Sequence, residues 1–398
     1  MKSETNQKSL SKPNLRLPRV VALVNTFGID TKGLSGGDKR AIEILKRFKV
    51  NRIDITVVTS KTGKEKYEKY VDANYIIVPL ASLDKLGLYI AYSVRSIVSS
   101  FLKLGLSSGD ILYSTSDFLP SVFPAFVNKS KNKNLKWVQT IHHLIPHPSK
   151  RKGSFYTNFL SFCAQRVSFF FIRALADSVI AVSPLLKGEL VKLGFDEKKV
   201  KVNGNGVNIN YFRRIEIDKE KEFEAVFLGR LNPTKGIFDL VDIWENVCKA
   251  NSSAKLGMIG EVDEQTKAIL EKKIVKKNLK TNVDLLGFLD DDEAFSIIKS
   301  SRIFVFPSHE EGWGISLCEA MACGLPAVVW DLPIYHLLFP KGIVIVPKGD
   351  AQRFANEVSR LLNDGKLYEQ MKKDAVEVAS EYDWDKVAEE ELRVVITI

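Results

Sequence analysis

Arg19-Val-Val-Ala-Leu-Val-Asn25 leads through a glycine-rich loop into an amphipathic stretch, 39–48, and then into Ile53-Asp-Ile-Thr-Val-Val-Thr59. An unbroken apolar strand is one buried on both faces. Its return through an amphipathic helix to a second such strand is the βαβ unit of a parallel sheet. The same alternation continues at 75–78, 111–114, 137–141 and 178–182, then lapses between 207 and 224 into a polar, charged connection. It restarts with Glu224-Ala-Val-Phe-Leu-Gly229 and continues at 255–259, 283–286, 303–306, 327–330 and 342–346. The expectation is two doubly wound α/β domains, residues 19–212 and 213–380. Residues 1–18 would form a flexible polar tail, and residues 381–398 a final helix around Trp384 that crosses back onto the first domain. The length of 398 residues agrees, because a single core rarely grows beyond about 250 to 300 residues. Ligands of open parallel sheets bind beyond the carboxyl ends of the strands, so two facing sheets enclose a cleft.

Composition narrows the class. Hydrophobic residues make up 45% and charged residues 27%, which excludes wholesale disorder and a polytopic membrane protein. The net charge of +10 is divided unevenly: up to Arg214 there are 35 Lys and Arg against 15 Asp and Glu, and beyond it 23 against 33. A +20 half joined to a −10 half suggests that the first domain faces something negative, such as a lipid headgroup or a phosphorylated ligand. Cys163, Cys248, Cys318 and Cys323 have neither CxxC spacing nor histidines at zinc-finger distance, so no structural metal is expected. Scattered thiols and a polar, Lys-rich start without an apolar core fit a cytoplasmic location. The most apolar stretches are broken by Arg95 and Lys103, and by Arg166, Arg173 and Asp177, so neither supplies the roughly 20 uncharged residues of a spanning helix.

Two loops carry the chemistry. Gly229-Arg230-Leu231-Asn232-Pro233-Thr234-Lys235-Gly236 leaves a strand and enters a helix with two cations five positions apart. The fork of Arg230 and the point charge of Lys235 suit a pyrophosphate, and Gly236 lets the backbone approach it. An ordinary turn with solvated cations is the plainer reading of this octapeptide alone. The run from Pro307 through Glu311-Gly312-Trp313-Gly314-Ile315-Ser316 to Glu319 and Pro326 follows a buried strand. Its glycines bare backbone amides, and a helix starting near Ser316 aims its positive end at any phosphate in the cleft. Glu319, in the first turns of that helix, can accept both hydroxyls of a ribose. The plainer alternative makes Glu319 a dipole partner and the glycines a turn.

These residues resemble those of glycosyltransferase family 4, retaining enzymes of the GT-B fold. The matching pieces, in order, are Gly36-Gly37, Thr140-Ile-His142, Val182-Ser183 with Asn205-Gly206-Val207, Gly229-Arg230-Leu231 with Lys235-Gly236, the Glu311 to Glu319 motif, and Tyr382-Asp-Trp384. The resemblance implies two facing Rossmann-like domains with a cleft between them, the second holding a nucleotide diphosphate sugar (UDP- or GDP-linked) and the first an acceptor. On it, Arg230 and Lys235 hold the diphosphate, Glu319 the ribose, and Glu311 with the amides of Trp313 to Ser316 the transferred sugar and diphosphate. Gly287 and Phe288 lie beside the base, His142 at the reacting sugar, and Gly36-Gly37 in the loop closing on phosphate or acceptor. No cofactor or metal is implied. The family commonly carries Asp after the histidine and after Asn-Gly-Val, where this chain has His143 and Asn208, a loss of charge that bears on acceptor choice.

His143 and His147 sit at metal-like spacing, but Pro146 and Pro148 prevent the helix that would align them, so both are read as cleft-lining loop residues. Asp290-Asp-Asp292 precedes an apolar helical run and reads as an N-cap with first-turn acids. In the segment 149–173, Phe155, Phe159 and Phe162 recur at helical spacing behind Lys150, Arg151 and Lys152, as in a helix lying at an anionic membrane surface. Lys129, Lys131, Lys133 and Lys136 add to the charge there. A packed helix with a cationic rim is the alternative. The function expected is transfer of a hexose from a nucleotide sugar to a hydroxyl of a glycan or lipid-linked acceptor. A nucleotide-sugar epimerase or hydrolase of the same fold is the competing enzyme. A nucleic-acid-binding protein is disfavoured because the cations show no helix-turn-helix or zinc pattern and few interleaved aromatics.

Overall fold

The computed structural model describes residues 19–25, 33–79, 87–217 and 222–398; the tail expected at 1–18 lies outside them. Seven parallel strands form the first sheet: β1 (Val20–Val24), β2 (Ile55–Thr59), β3 (Asn74–Ile77), β4 (Ile111–Ser114), β5 (Lys136–Ile141), β6 (Ser178–Ala181) and β7 (Val200–Val202), in the order β3-β2-β1-β4-β5-β6-β7. Six more form the second: β8 (Ala225–Leu228), β9 (Leu256–Ile259), β10 (Val283–Gly287), β11 (Ile303–Phe306), β12 (Ala327–Trp330) and β13 (Ile343–Val346), in the order β10-β9-β8-β11-β12-β13. In each sheet the winding direction reverses between the first and fourth strand in chain order, β1/β4 and β8/β11, which opens a crevice above their carboxyl ends. The central strands β1, β2, β4, β8, β9, β11 and β12 consist almost wholly of buried residues, which is why they read as unbroken apolar runs.

The chain crosses between the sheets twice, and the two crossings touch: Val207 pairs with Asp383 in an isolated parallel bridge, and the Val207 amide donates to the Tyr382 carbonyl. A Cβ at Gly206 would collide with the backbone of Asp383 and Trp384, so glycine is what lets the crossings lie this close. Beyond them the helix Trp384–Ile396 packs on the helix Gly36–Val50, burying Trp384, Val387, Ala388 and Val395 against the first sheet's core. Beneath that contact Glu391, fully buried, takes a two-pronged ion pair from Arg40, a hydrogen bond from the Tyr113 hydroxyl, and one from Asn203 Nδ2 at 2.6 Å.

Candidate active site

The glycine pair after β1 begins a helix. Ser35 caps it by accepting from the Asp38 amide, and Asp38 returns the bond to the Ser35 amide at 3.0 Å. This capping box fixes where the helix starts, and so where its free amides point. Across the cleft, the helix Ile315–Ala322 starts at Gly314, whose φ of 101° favours glycine. A Cβ on Gly36 would lie 3.3 Å from Ile315 Cδ1, and one on Gly37 would lie 3.1 Å from His142 Nε2. A Cβ on Gly312 would strike the His142 carbonyl oxygen. Gly36, Gly37, His142, Gly312 and Ile315 thus converge, and two positive helix ends face one another across the gap.

The cations follow β8. Lys235 closes the short 3₁₀ turn Pro233–Lys235, and Gly236 after it has a φ of 73° and no room for a Cβ against the Pro307 carbonyl. Lys235 Nζ lies 2.5 Å from Glu311 Oε1 and 5.6 Å from the centre of the Phe306 ring. Gly229, the residue after β8, lies beside the Phe306 ring. Among the described residues the Arg230 guanidinium has no ion-pair or hydrogen-bond partner; it is exposed and close enough to Asp38 to stabilise its charge. The Trp313 ring packs on Phe339 and Tyr382 and reaches the first domain, its Nε1 3.0 Å from where a Gly204 Cβ would be, which leaves its backbone, with those of Gly314, Ile315 and Ser316, at the helix end. Gly287 ends β10 with a φ of 71°, and the exposed Phe288 ring reaches the first domain, 3.2 Å from where a Gly33 Cβ would be.

Glu319 is 4% exposed and meets a residue the motifs do not reveal: Lys39, on the first-domain helix, places Nζ 2.5 Å from Glu319 Oε1 and 3.5 Å from Asp291 Oδ2. Burial pushes the Glu319 carboxyl up, and Lys39 opposes this. Burial works against the Lys39 ammonium, but Glu319 and Asp291 outweigh it and hold it above its ordinary range. The only sequence signal for Lys39 was its place one turn after Gly36, on the side of the helix that faces the cleft. His142 Nε2 lies 2.8 Å from the Thr115 carbonyl, which can only accept, so Nε2 carries the proton and Nδ1 is left as the acceptor. Burial, helped by Arg40, pushes this imidazole down to about 4.

Two expectations about charge need correction. Arg151 is not a free surface cation: it donates to both oxygens of Glu310 across the cleft, at 2.7 to 3.1 Å. Lys129 is buried and paired with Asp177 at 2.8 Å, so it adds nothing to the surface patch. Within the helix Phe155–Leu175, Phe155 and Phe159 stack on each other in solvent, whereas Phe162 turns to the Arg166 guanidinium and the His147 ring. Asp290 caps the helix Asp291–Ser300, and Asn208 caps Ile209–Arg214. No group of three or more His, Cys, Asp or Glu among the described residues is placed to hold a metal ion.

Residues 34–211 match the family description "Glycosyltransferase Family 4", and residues 209–378 match "Glycosyl transferases group 1". An uncharacterized glycosyltransferase of Methanocaldococcus jannaschii is 32% identical over 236 residues, 54% of this chain and 59% of that protein. A phosphatidyl-myo-inositol mannosyltransferase of Mycobacterium leprae is 29% identical over 227 residues, 55% of this chain and 59% of that protein. The chain therefore spans a little under three fifths of each of these relatives. Anabaena Alr3699/HepE, solved in complex with UDP-glucose, superposes with a TM-score of 0.75 at 17% identity, covering 96% of this chain and 100% of that one, which fixes the fold as GT-B. With consecutive family matches over both sheets, the chain belongs to glycosyltransferase family 4.

Proposed function

We propose that the protein transfers a hexose from a UDP- or GDP-linked donor to an acceptor hydroxyl, with retention of anomeric configuration. The observation that carries this reading is the convergence, above the two switch points, of two helix N-termini with Lys235 and Arg230. That arrangement suits a diphosphate whose negative charge grows as its bond to the sugar breaks. Glu319 takes the ribose hydroxyls in place of Lys39, and Glu311 leaves Lys235 to hold the transferred sugar. The acceptor hydroxyl attacks from the leaving-group face and gives its proton to the departing diphosphate oxygen, so neither an enzyme nucleophile nor a metal is needed. A mannosyltransferase among the relatives and UDP-glucose in a structural neighbour support a hexose donor. The exposed aromatic residues behind Lys150 and Lys152 support a lipid-linked acceptor reached by reversible docking on an anionic membrane; no described helix is long and apolar enough to cross one.

A thermal-shift panel of nucleotide sugars tests the donor site, since a ligand bound only by the folded state stabilises it by mass action. At least one UDP- or GDP-hexose raises Tm. Lys235→Ala and Glu319→Gln each weaken its binding by about one to two decades, the equivalent of roughly 1.5 to 3 kcal/mol for a charged hydrogen bond. Unchanged titrations in both variants remove the site.

A further inference from the structure

His143 lies on the first-domain wall of the cleft, where its Cβ would be 3.0 Å from a Cβ built on Gly312. Behind it stands Asp117, in the turn after β4 and 6% exposed. One buried side chain ties the two together. Gln165, from the helix Phe155–Leu175, donates through Nε2 to Asp117 Oδ2 at 2.7 Å and to the His143 carbonyl at 2.9 Å. Its Oε1 accepts from the Ile145 amide at 2.8 Å. A carboxamide has two donor hydrogens and an acceptor, and all three are used here to pin the turn 143–145.

The charges around His143 cancel. Asp117, Glu310, Arg151 and Lys235 are the charged groups that act on it. Arg151 is held by Glu310, and Lys235 is held by Glu311 here and by the donor diphosphate once Glu311 leaves it, so neither cation is left over for an acceptor. Burial pushes the Asp117 carboxyl up and the His143 imidazole down, which favours the neutral form of both. Such a wall offers hydrogen bonds without net charge. A phosphate brought against it would meet Glu310 and a buried carboxyl with no free cation to offset the loss of its hydration.

We infer that His143, with Asp117 and Gln165 as its positioning residues, receives an uncharged sugar hydroxyl of a glycoside acceptor, and that this subsite rejects a phosphorylated one. The inference rests on the reading of the cleft as a glycosyl-transfer site. It is tested with the full chain, UDP-glucose and GDP-mannose as donors, methyl α-D-mannopyranoside and methyl α-D-glucopyranoside as neutral acceptor probes, and myo-inositol 1-phosphate as the anionic probe. Transfer to at least one methyl glycoside and none to the inositol phosphate is expected. Asp117→Leu and Gln165→Leu raise the glycoside KM about tenfold or more, the cost of a lost buried hydrogen bond, with the donor KM within about twofold. Asp117→Asn, which keeps an acceptor atom for Gln165, recovers most of that affinity, as a merely space-filling role for Asp117 would not require. Three outcomes overturn the subsite: transfer to inositol phosphate at least equal to that to the glycosides, donor and glycoside KM rising together, or no transfer to either glycoside while a nucleotide sugar still raises Tm. Failure of every nucleotide sugar to raise the wild-type Tm overturns instead the reading on which the subsite rests, and the subsite with it.

Discussion

Side-chain environment, more than residue type, sets what the cleft can do. His142 shows this best, because its buried position beside Arg40 keeps it neutral down to about pH 4, well below its ordinary value of 6.5. In the unfolded chain the imidazole takes up its proton first. The folded state therefore gains stability above pH 6.5 that is lost as the pH falls toward 4, about 3 kcal/mol in all for this one group. Denaturation of the wild type and His142→Asn between pH 7 and pH 4 checks it: the variant loses that part of the pH dependence. Parallel curves would mean that His142 titrates like an exposed histidine. The residues that motif reading singled out, Arg230, Lys235, Glu311 and Glu319, stand in short local runs after strands. Those it missed, Lys39, Asp117 and Gln165, act through partners distant in sequence, and no local spacing reveals such pairs.

Elements were legible where they are buried on both faces, as in β1, β8 and β11. β7 was not, because Val200-Lys201-Val202 is a short edge strand with two of its three residues exposed. Two helices carry predictions of their own. The helix Phe155–Leu175 exposes Phe155 (62%), Tyr156 (68%) and Phe159 (47%), while Gln165 on its inner side holds the 143–145 turn. With Arg151 committed to Glu310, only Lys150 and Lys152 of the local basic cluster face solvent, each worth about 1 kcal/mol near an anionic leaflet. In co-sedimentation with vesicles of phosphatidylglycerol and phosphatidylcholine, the wild type pellets and salt releases it. The variant with Lys150, Lys152, Phe155 and Phe159 all changed to Ser stays in solution. Equal pelleting of the two, or none of either, leaves a packed helix and a soluble acceptor. The helix Trp384–Ile396 is anchored by Glu391, whose partner Arg40 stands 351 positions away and is 1% exposed. Glu391→Ala leaves that guanidinium buried and unpaired, at a cost of about 3 to 5 kcal/mol in chemical denaturation. Adding Arg40→Met restores part of the loss, and wild-type stability in the single variant would show that the pair is not a structural anchor.

At the scale of the whole molecule, two sheets wound in the same order face each other across a cleft that this structure holds nearly shut. Lys39–Glu319 and Arg151–Glu310 bridge its two sides, and Gly36 and Gly312 allow the backbones to meet. The two-domain layout was legible from the restart of strand alternation at Glu224. The closeness of the two sides was not, because it depends on the angle between the sheets, which strand periodicity does not encode. The proposal that this cleft closes on a donor sugar with protein cations and helix ends, and without a metal, has one most direct test. The purified protein, in EDTA, is given UDP-α-glucose or GDP-α-mannose with methyl glycosides, and the new anomeric linkage is read by proton NMR. The account predicts an α-linked product at a rate unaffected by the chelator. A β-linked product, or activity lost in EDTA and restored by magnesium or manganese, would contradict it.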